Sequence, residues 1–212
     1  MNIMNRLYAL SVLLAFAVAS AFAGSVNFDE ISATCCYADV VPGTGRGPLL
    51  TYPGATFDGG VVMSNDGWVN VATTAPNLYG TTDSLLLNDG SSLPAYITVD
   101  FSSPVAWLAL DLINGAGSSN FTVTAYDAAD IEVGSTTVNL TNFGQTGSVQ
   151  RVTLSASGIL SAVITSGQAA GKIDFAIDTV DWPGGTGIPE PGSMLLIGTG
   201  LLVWASLSRR FR

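Results

Sequence analysis

Each end of this 212-residue chain carries an uncharged apolar run, and only the stretch between the runs is left to fold in water. At the front, Arg6 precedes an apolar run from Leu7 to Val18 and then Ala19-Ser20-Ala21-Phe22-Ala23. A basic start, a short apolar core and a small-x-small exit are the three parts of a secretory signal. The core is shorter than the ~20 residues of a spanning helix, and Ala21 and Ala23 suit a peptidase pocket, so residues 1–23 read as a signal cut after Ala23 by signal peptidase. At the back, Ser193 to Leu207 is uncharged and reads as a single transmembrane helix, with Trp204 suited to the membrane interface. Arg209, Arg210 and Arg212 follow it and mark the cytoplasmic side. Both ends thus place the middle of the chain outside the inner membrane. Residues 183–188 form a Gly-rich linker, and Pro189-Glu190-Pro191 stands before the span. Proline blocks helix and sheet pairing, which keeps that triplet extended, and Glu190 cannot enter lipid.

What remains, residues 24–182, is the size of one domain. It shows no sustained helical period, most of the chain's 24 glycines fall in it as turn markers, and β-branched and aromatic residues recur throughout, as in an all-β protein. Tyr96 to Phe101 alternates, with Ile97, Val99 and Phe101 on one face. After Pro104, Val105 to Leu112 is apolar on both faces, as in a sandwiched central strand. Asn114 to Ser119 is a turn cluster, and Phe121, Val123 and Ala125 share a face of the next strand. Ala128-Ala129-Asp130 joins it to Ile131-Glu132-Val133, and later strands are read at 149–154, 159–165 and 173–180. In the first half, strands are read at 26–30, 57–62, 67–71 and 84–87, and Asn77 to Thr81 reads as loop. The spacing fits an antiparallel β-sandwich.

Charge narrows function. The chain carries −9, and Arg6, Arg209, Arg210 and Arg212 lie in the terminal segments, so the middle is more acidic still. An acidic surface repels phosphate backbones, which argues against a nucleic-acid partner. The chain has no histidine, which removes the usual base of Ser and Cys hydrolases and the commonest zinc ligand. No acid is marked as sitting in an apolar pocket, so the domain reads as non-enzymatic, with no catalytic residue assigned. Cys35 and Cys36 are adjacent and point to opposite faces of any strand, which strains an ordinary bridge. Two thiols, a vicinal disulfide and cross-links to another chain all stay open.

Two constellations invite a binding role. Asp29 and Glu30 near the start, with Asp178 and Asp181 near the end, offer hard oxygens for Ca²⁺, since first and last strands of such sandwiches lie side by side. Against this, Asp174 and Asp178 fall on the polar face of one strand, opposite Ile173, Phe175 and Ile177, where acids are expected without any metal. Trp68, Tyr79 and Trp107 are candidates to stack on sugar rings; Trp107 lies in an apolar run and reads as core, and Trp68, beside Asp66-Gly67, is the better surface candidate, although core or rim packing is its favoured reading too. Asn120-Phe-Thr122 and Asn139-Leu-Thr141 match a glycosylation sequon short enough to recur by chance.

Pro189-Glu190-Pro191, the adjoining Gly192, one hydrophobic span and an Arg-rich end, in that order over 188–212, resemble the PEP-CTERM sorting signal of Gram-negative bacteria. The resemblance implies recognition of Pro189, Glu190 and Pro191 by an exosortase, cutting near the motif, and a place on the cell surface or in a matrix of exopolysaccharide and biofilm. Val99-Asp-Phe-Ser-Ser-Pro-Val105, Thr124-Ala-Tyr-Asp127 and Phe175-Ala-Ile-Asp-Thr-Val-Asp181 are similar to a jelly-roll sandwich of galactose-binding-like topology. That implies no function, because such sandwiches bind sugars, bind calcium or do neither. The expected molecule is therefore an exported surface protein. Its alternatives are a carbohydrate- or calcium-binding module and, last, a secreted hydrolase. Sequencing the exported protein from its N-terminus is expected to begin at Gly24; a retained Met1 would overturn the signal reading.

Overall fold

Alternating apolar and polar residues build some of the strands, and others are buried on both faces. The computed structural model describes residues 23–33, 37–38, 47–65, 73–81, 96–169 and 172–183. The signal through Phe22, Cys35 and Cys36, Trp68 with the strand read at 67–71, the strand read at 84–87, and everything from the linker at 184 to Arg212 lie outside these residues. Ten strands follow in chain order: β1 (Ala23–Val26), β2 (Leu50–Tyr52), β3 (Ala55–Asp58), β4 (Gly60–Ser64), β5 (Asn77–Thr81), β6 (Tyr96–Asn114), β7 (Ser119–Tyr126), β8 (Glu132–Leu140), β9 (Val149–Ser166) and β10 (Phe175–Pro183). Among the described residues there is no helix, hence none long and apolar enough to cross a membrane.

All pairings are antiparallel, in the order β4-β5-β10-β6-β9-β7-β8, with β1 added to β10, β3 to β6 and β2 to β3. The long strands β6 and β9 run together through a corner. They pair from Tyr96↔Thr165 to Asp100↔Ser161, shift register around Val105, and resume from Trp107↔Ser155 to Ile113↔Val149. Pro104 has no N–H to give the ladder, and Gly158, at φ 78°, takes a backbone turn that side chains resist. The corner folds one ladder into two layers. One holds β4, β5, β10 and the adjoining halves of β6 and β9; the other holds β3, β7, β8 and the remaining halves. Between them lie Ile97, Val99, Leu108, Leu110, Leu112, Phe121, Val123, Ile164 and Ile177. Phe121 of β7 meets Phe175 of β10 edge-on at 5.7 Å across the layers.

The all-β, antiparallel architecture is the one read from the sequence, and several boundaries differ. The two runs divided at Pro104, and the two at 149–154 and 159–165, are single bent strands, because pairing is carried through the corner. The strand read at 57–62 breaks at Gly59 (φ 89°), where a Cβ would strike the Tyr96 carbonyl. The opening strand stops at Val26, because Phe28 (φ 63°) turns the chain. Asn77 to Thr81, read as loop, is the buried strand β5. Its polar ends are hydrogen-bonded inside: the Asn77 amide donates to the carbonyls of Phe28 (3.0 Å) and Ile31 (2.7 Å), and Phe175 N–H donates to the Thr81 hydroxyl (3.2 Å).

Two latches hold the N-terminal segment. Gly24 lies against the Trp182 ring, where a Cβ has no room, and Trp182 in turn packs on Phe101 at 5.7 Å. Phe28 stacks on Tyr79 (5.2 Å) and meets Phe57 edge-on (5.1 Å), while Asp29 accepts the Asn77 N–H (3.0 Å). Burial pushes the Asp29 carboxyl up, the Asn77 N–H pulls it down, and the Asp178 and Glu30 charges add to the rise. Burial, then Asp58, also raises Asp100.

The folded chain therefore binds these two protons more tightly than the unfolded chain. Their contribution to stability is fully present below the ordinary carboxylate range and is lost as pH rises through the raised values. The melting temperature is expected to carry that downward component, and Asp29→Asn to flatten it; an unchanged slope would count against the assignment. Trp182→Ala is expected to cost roughly 3–5 kcal/mol, and Gly24→Ala about 1–3 kcal/mol by overpacking, read by chemical denaturation.

Candidate functional site

Along β10, Phe175 and Ile177 point into the core, so alternation sends Asp178 to the outer face. The sequence therefore predicts an exposed acid there, yet Asp178 is fully buried. The cause is Thr73-Thr74, just ahead of β5, which closes over it. Asp178 Oδ2 accepts from Thr74 N (2.8 Å) and lies 3.1 Å from Thr73 Oγ1, and Oδ1 accepts from Thr74 Oγ1 (2.9 Å) and Thr179 N (2.7 Å). Thr179 (φ 41°) sits in an irregularity where the β10–β6 register slips between Asp178 and Asp181. That slip turns its N–H back onto the carboxylate.

Asp178 pairs across the strands with Asp111, itself buried, and like charges so placed repel. Two groups offset the repulsion. Thr73 Oγ1 lies 2.5 Å from Asp111 Oδ2 and 3.1 Å from Asp178 Oδ2, its hydroxyl between the acids. Arg151, opposite Asp111 on β9, reaches Asp111 Oδ1 at 3.2 Å with Nη1, donates to the Thr179 carbonyl, and pairs with Asp181 through Nη2. The Arg151 side chain is 38% exposed, so each ion pair contributes only about 0–1 kcal/mol. The fork's larger effect is to fix the slipped end of β10 against β9.

This geometry divides the four acids read as a calcium set. Asp178 and Asp181 belong to the Arg151–Thr73–Thr74 network, Asp29 is the acceptor that ties down β5, and Glu30 is exposed. Among the described residues no three acidic, His or Cys side chains form a group able to hold a metal ion. Asp178's oxygens are already engaged by three donors, the Thr74 N–H and hydroxyl and the Thr179 N–H, where Ca²⁺ asks for free lone pairs.

The aromatic candidates separate too. Tyr79 is fully buried, its hydroxyl accepting the Gly60 N–H at 3.0 Å, so it has no face for a sugar. Trp107 was expected in the core and is instead half-buried on the outer face. Leu108, Leu110 and Leu112 take the inward positions, which leaves Trp107, Ala109 and Asp111 outward, facing Ser155, Thr153 and Arg151 of β9. A half-open indole and the Arg151 fork thus share one sheet face, about 13 Å apart along the strand, with small Ala109 between them. The two sequon asparagines are cross-strand neighbours on β7 and β8, joined Asn139 Nδ2 to Asn120 Oδ1 at 2.8 Å. Near β2 and β4, a cavity of about 170 Å³ is lined by Ile31, Ala38, Pro48, Leu50, Val62 and Tyr79, well below the roughly 300–1,000 Å³ usual for small-molecule sites.

Reasoning from sequence missed the Asp178 network. Its one signal was an acid in a strand whose neighbours are apolar on both faces, at Ala176-Ile177-Asp178-Thr179-Val180.

Residues 187–210 match the family described as PEP-CTERM protein-sorting motif. No curated protein matches the chain. Among solved structures, a DUF4465 family protein from Bacteroides caccae ATCC 43185 is similar at 13% identity and TM-score 0.48, over 75% of this chain and 98% of that one. The K2 cleaved adhesin domain of Lys-gingipain is similar at 10% identity and TM-score 0.46, over 76% and 99%. TmCBM61, solved with β-1,4-galactotriose, is similar at 12% identity and TM-score 0.39, over 64% and 97%. Behind its all-β domain, then, the chain carries a PEP-CTERM protein-sorting tail, which implies an exported, membrane-anchored precursor that an exosortase recognises and that is then processed.

Proposed function

We propose that this is a non-enzymatic protein of the cell surface or extracellular matrix, delivered through its tail and associated with exopolysaccharide in a biofilm. The sorting-motif match at residues 187–210 carries the reading. The signal read at residues 1–23 supports the same route, and so does the acidic composition, which favours a soluble extracellular domain over one that binds nucleic acid. A second reading, that the domain itself holds glycan, is favoured by Trp107: a half-open indole beside Ser155, with charged hydrogen-bonding groups on the same face, suits stacking on a sugar ring with polar contacts at its rim.

The route is tested in cells with and without the exosortase. Wild-type chain is expected to lose its tail and leave the inner membrane only where the enzyme is present. Glu190→Ala is expected to keep full length in the membrane fraction. Equal processing in both cells would sink the sorting reading. Glycan retention is tested on extracted exopolysaccharide, where Trp107→Ala is expected to reduce co-sedimentation several-fold; undiminished binding would reject that face.

A further inference from the structure

On one side of the sandwich both layers end in a strand whose outer edge has no partner among the described residues. In one layer β8 pairs with β7 alone. In the other, the first half of β9 pairs only with β6, because β7 meets β9 only from Ser161 to Ser166. The two edges are stacked: a Cβ at Gly134 of β8 would lie 3.3 Å from Ala156 and 3.6 Å from Leu154 of β9. The opposite end of the sheet is treated differently. There Tyr37 bridges to Met63 of β4, Ala38 N–H donates to the Val62 carbonyl (2.8 Å), and Gly47 N–H donates to the Gly60 carbonyl (3.0 Å), so passing chain covers that edge.

Among the described residues the β8 edge lacks the usual protections. A strand edge is normally blunted by proline, lysine, a covering loop or short length. β8 runs for nine residues, Glu-Val-Gly-Ser-Thr-Thr-Val-Asn-Leu, with no proline and no cation. Its inward residues Val133 and Val138, and Ala156 beneath, are only partly buried, so the core is incompletely closed along this side. Charge is sparse here as well. The chain has 16 acids, yet no charged residue lies between Val133 and Gln150. Two acidic molecules meet least repulsion along such a strip.

We propose that β8 pairs antiparallel with β8 of a second copy of this chain, extending the sheet across a twofold axis. In a register centred on Thr136, Ser135 faces Thr137 of the second copy, and Glu132, the strand's one charge, faces Leu140 rather than its own counterpart. The exposed Ser135 and Thr137 then form a Ser/Thr ladder on the outer face. The assignment goes beyond the sorting reading and does not depend on it.

The test is sedimentation velocity on the full chain purified from expressing cells in mild detergent, under reductant so that Cys35 and Cys36 cannot link copies. Wild type is expected to show a concentration-dependent dimer. Ser135→Lys with Thr137→Lys sets lysines opposite lysines across the axis and is expected to raise the dimer dissociation constant roughly tenfold. Ser135→Glu with Thr137→Lys sets opposite charges together in the same register and is expected to restore the dimer. Both positions are exposed and pair with threonines of β7, so circular dichroism should match wild type in each variant. Wild type that stays monomeric at every concentration overturns the proposal, as does a double-lysine variant that dimerises as before. Membrane fractionation reports sorting separately, and neither result bears on it.

Discussion

The joint bend of β6 and β9 is the feature on which the rest of the molecule depends. A flat ladder of these strands would expose one face of Ile97, Val99, Leu108, Leu110 and Leu112 to water. Carrying the pairing through a corner at Val105 brings the two halves of the same ladder face to face. The core is therefore made by one strand pair folding onto itself, and the shorter strands add to sheets that the pair has already oriented. The corner also explains the two stacked edges. A ladder folded once has its ends on the same side, and nothing in the described chain returns to cover β8.

Burial on both sides of β10 and β5 creates a second demand. Polar groups caught there must be hydrogen-bonded, and the chain meets this with side chains that serve as acceptors for backbone N–H groups. Asp29 takes Asn77 N–H, Asp178 takes those of Thr74 and Thr179, and Asn77 in turn donates to Phe28 and Ile31. These contacts tie irregular segments to the sheet. In an all-β protein with few cations, acids in such positions work as structural acceptors. Arg151 is the exception that joins three strands, spanning Asp111 on β6 and Asp181 and the Thr179 carbonyl on β10 from its own place on β9.

Strands whose two faces differ were legible from the amino acids: Ile97-Val99-Phe101 and Phe121-Val123-Ala125 alternate, and both sets are buried as read. Strands buried on both faces were harder to read. Asn77-Leu78-Tyr79-Gly80-Thr81 has the composition of a turn and becomes a strand because β4 and the distant β10 pair with it, while Phe28, Ile31 and Phe175 satisfy its polar ends. Asp178 was misplaced for the same reason, since the two threonines that bury it lie more than a hundred residues upstream. Trp107 was misassigned by composition: an apolar run places every residue inside, whereas pleating assigns its alternate positions to opposite faces. Local pattern reports which face a residue takes, but not whether another segment arrives to cover that face.

The contact between Gly24 and Trp182 locks the start of the domain to its end. The sequence reading ends the signal at Ala23, and Gly24 pairs with Trp182 in the β1–β10 register, its missing side chain making room for the indole. Trp182 is the last core residue before Pro183 and the glycine-rich linker. Ala23 and Pro183 are cross-strand partners, so the chain enters and leaves the domain at one place. The tryptophan at the other end of the domain needs the space a side chain at position 24 would take, so the packing of β1 on β10 gives that glycine less freedom than its exposed neighbour Ser25.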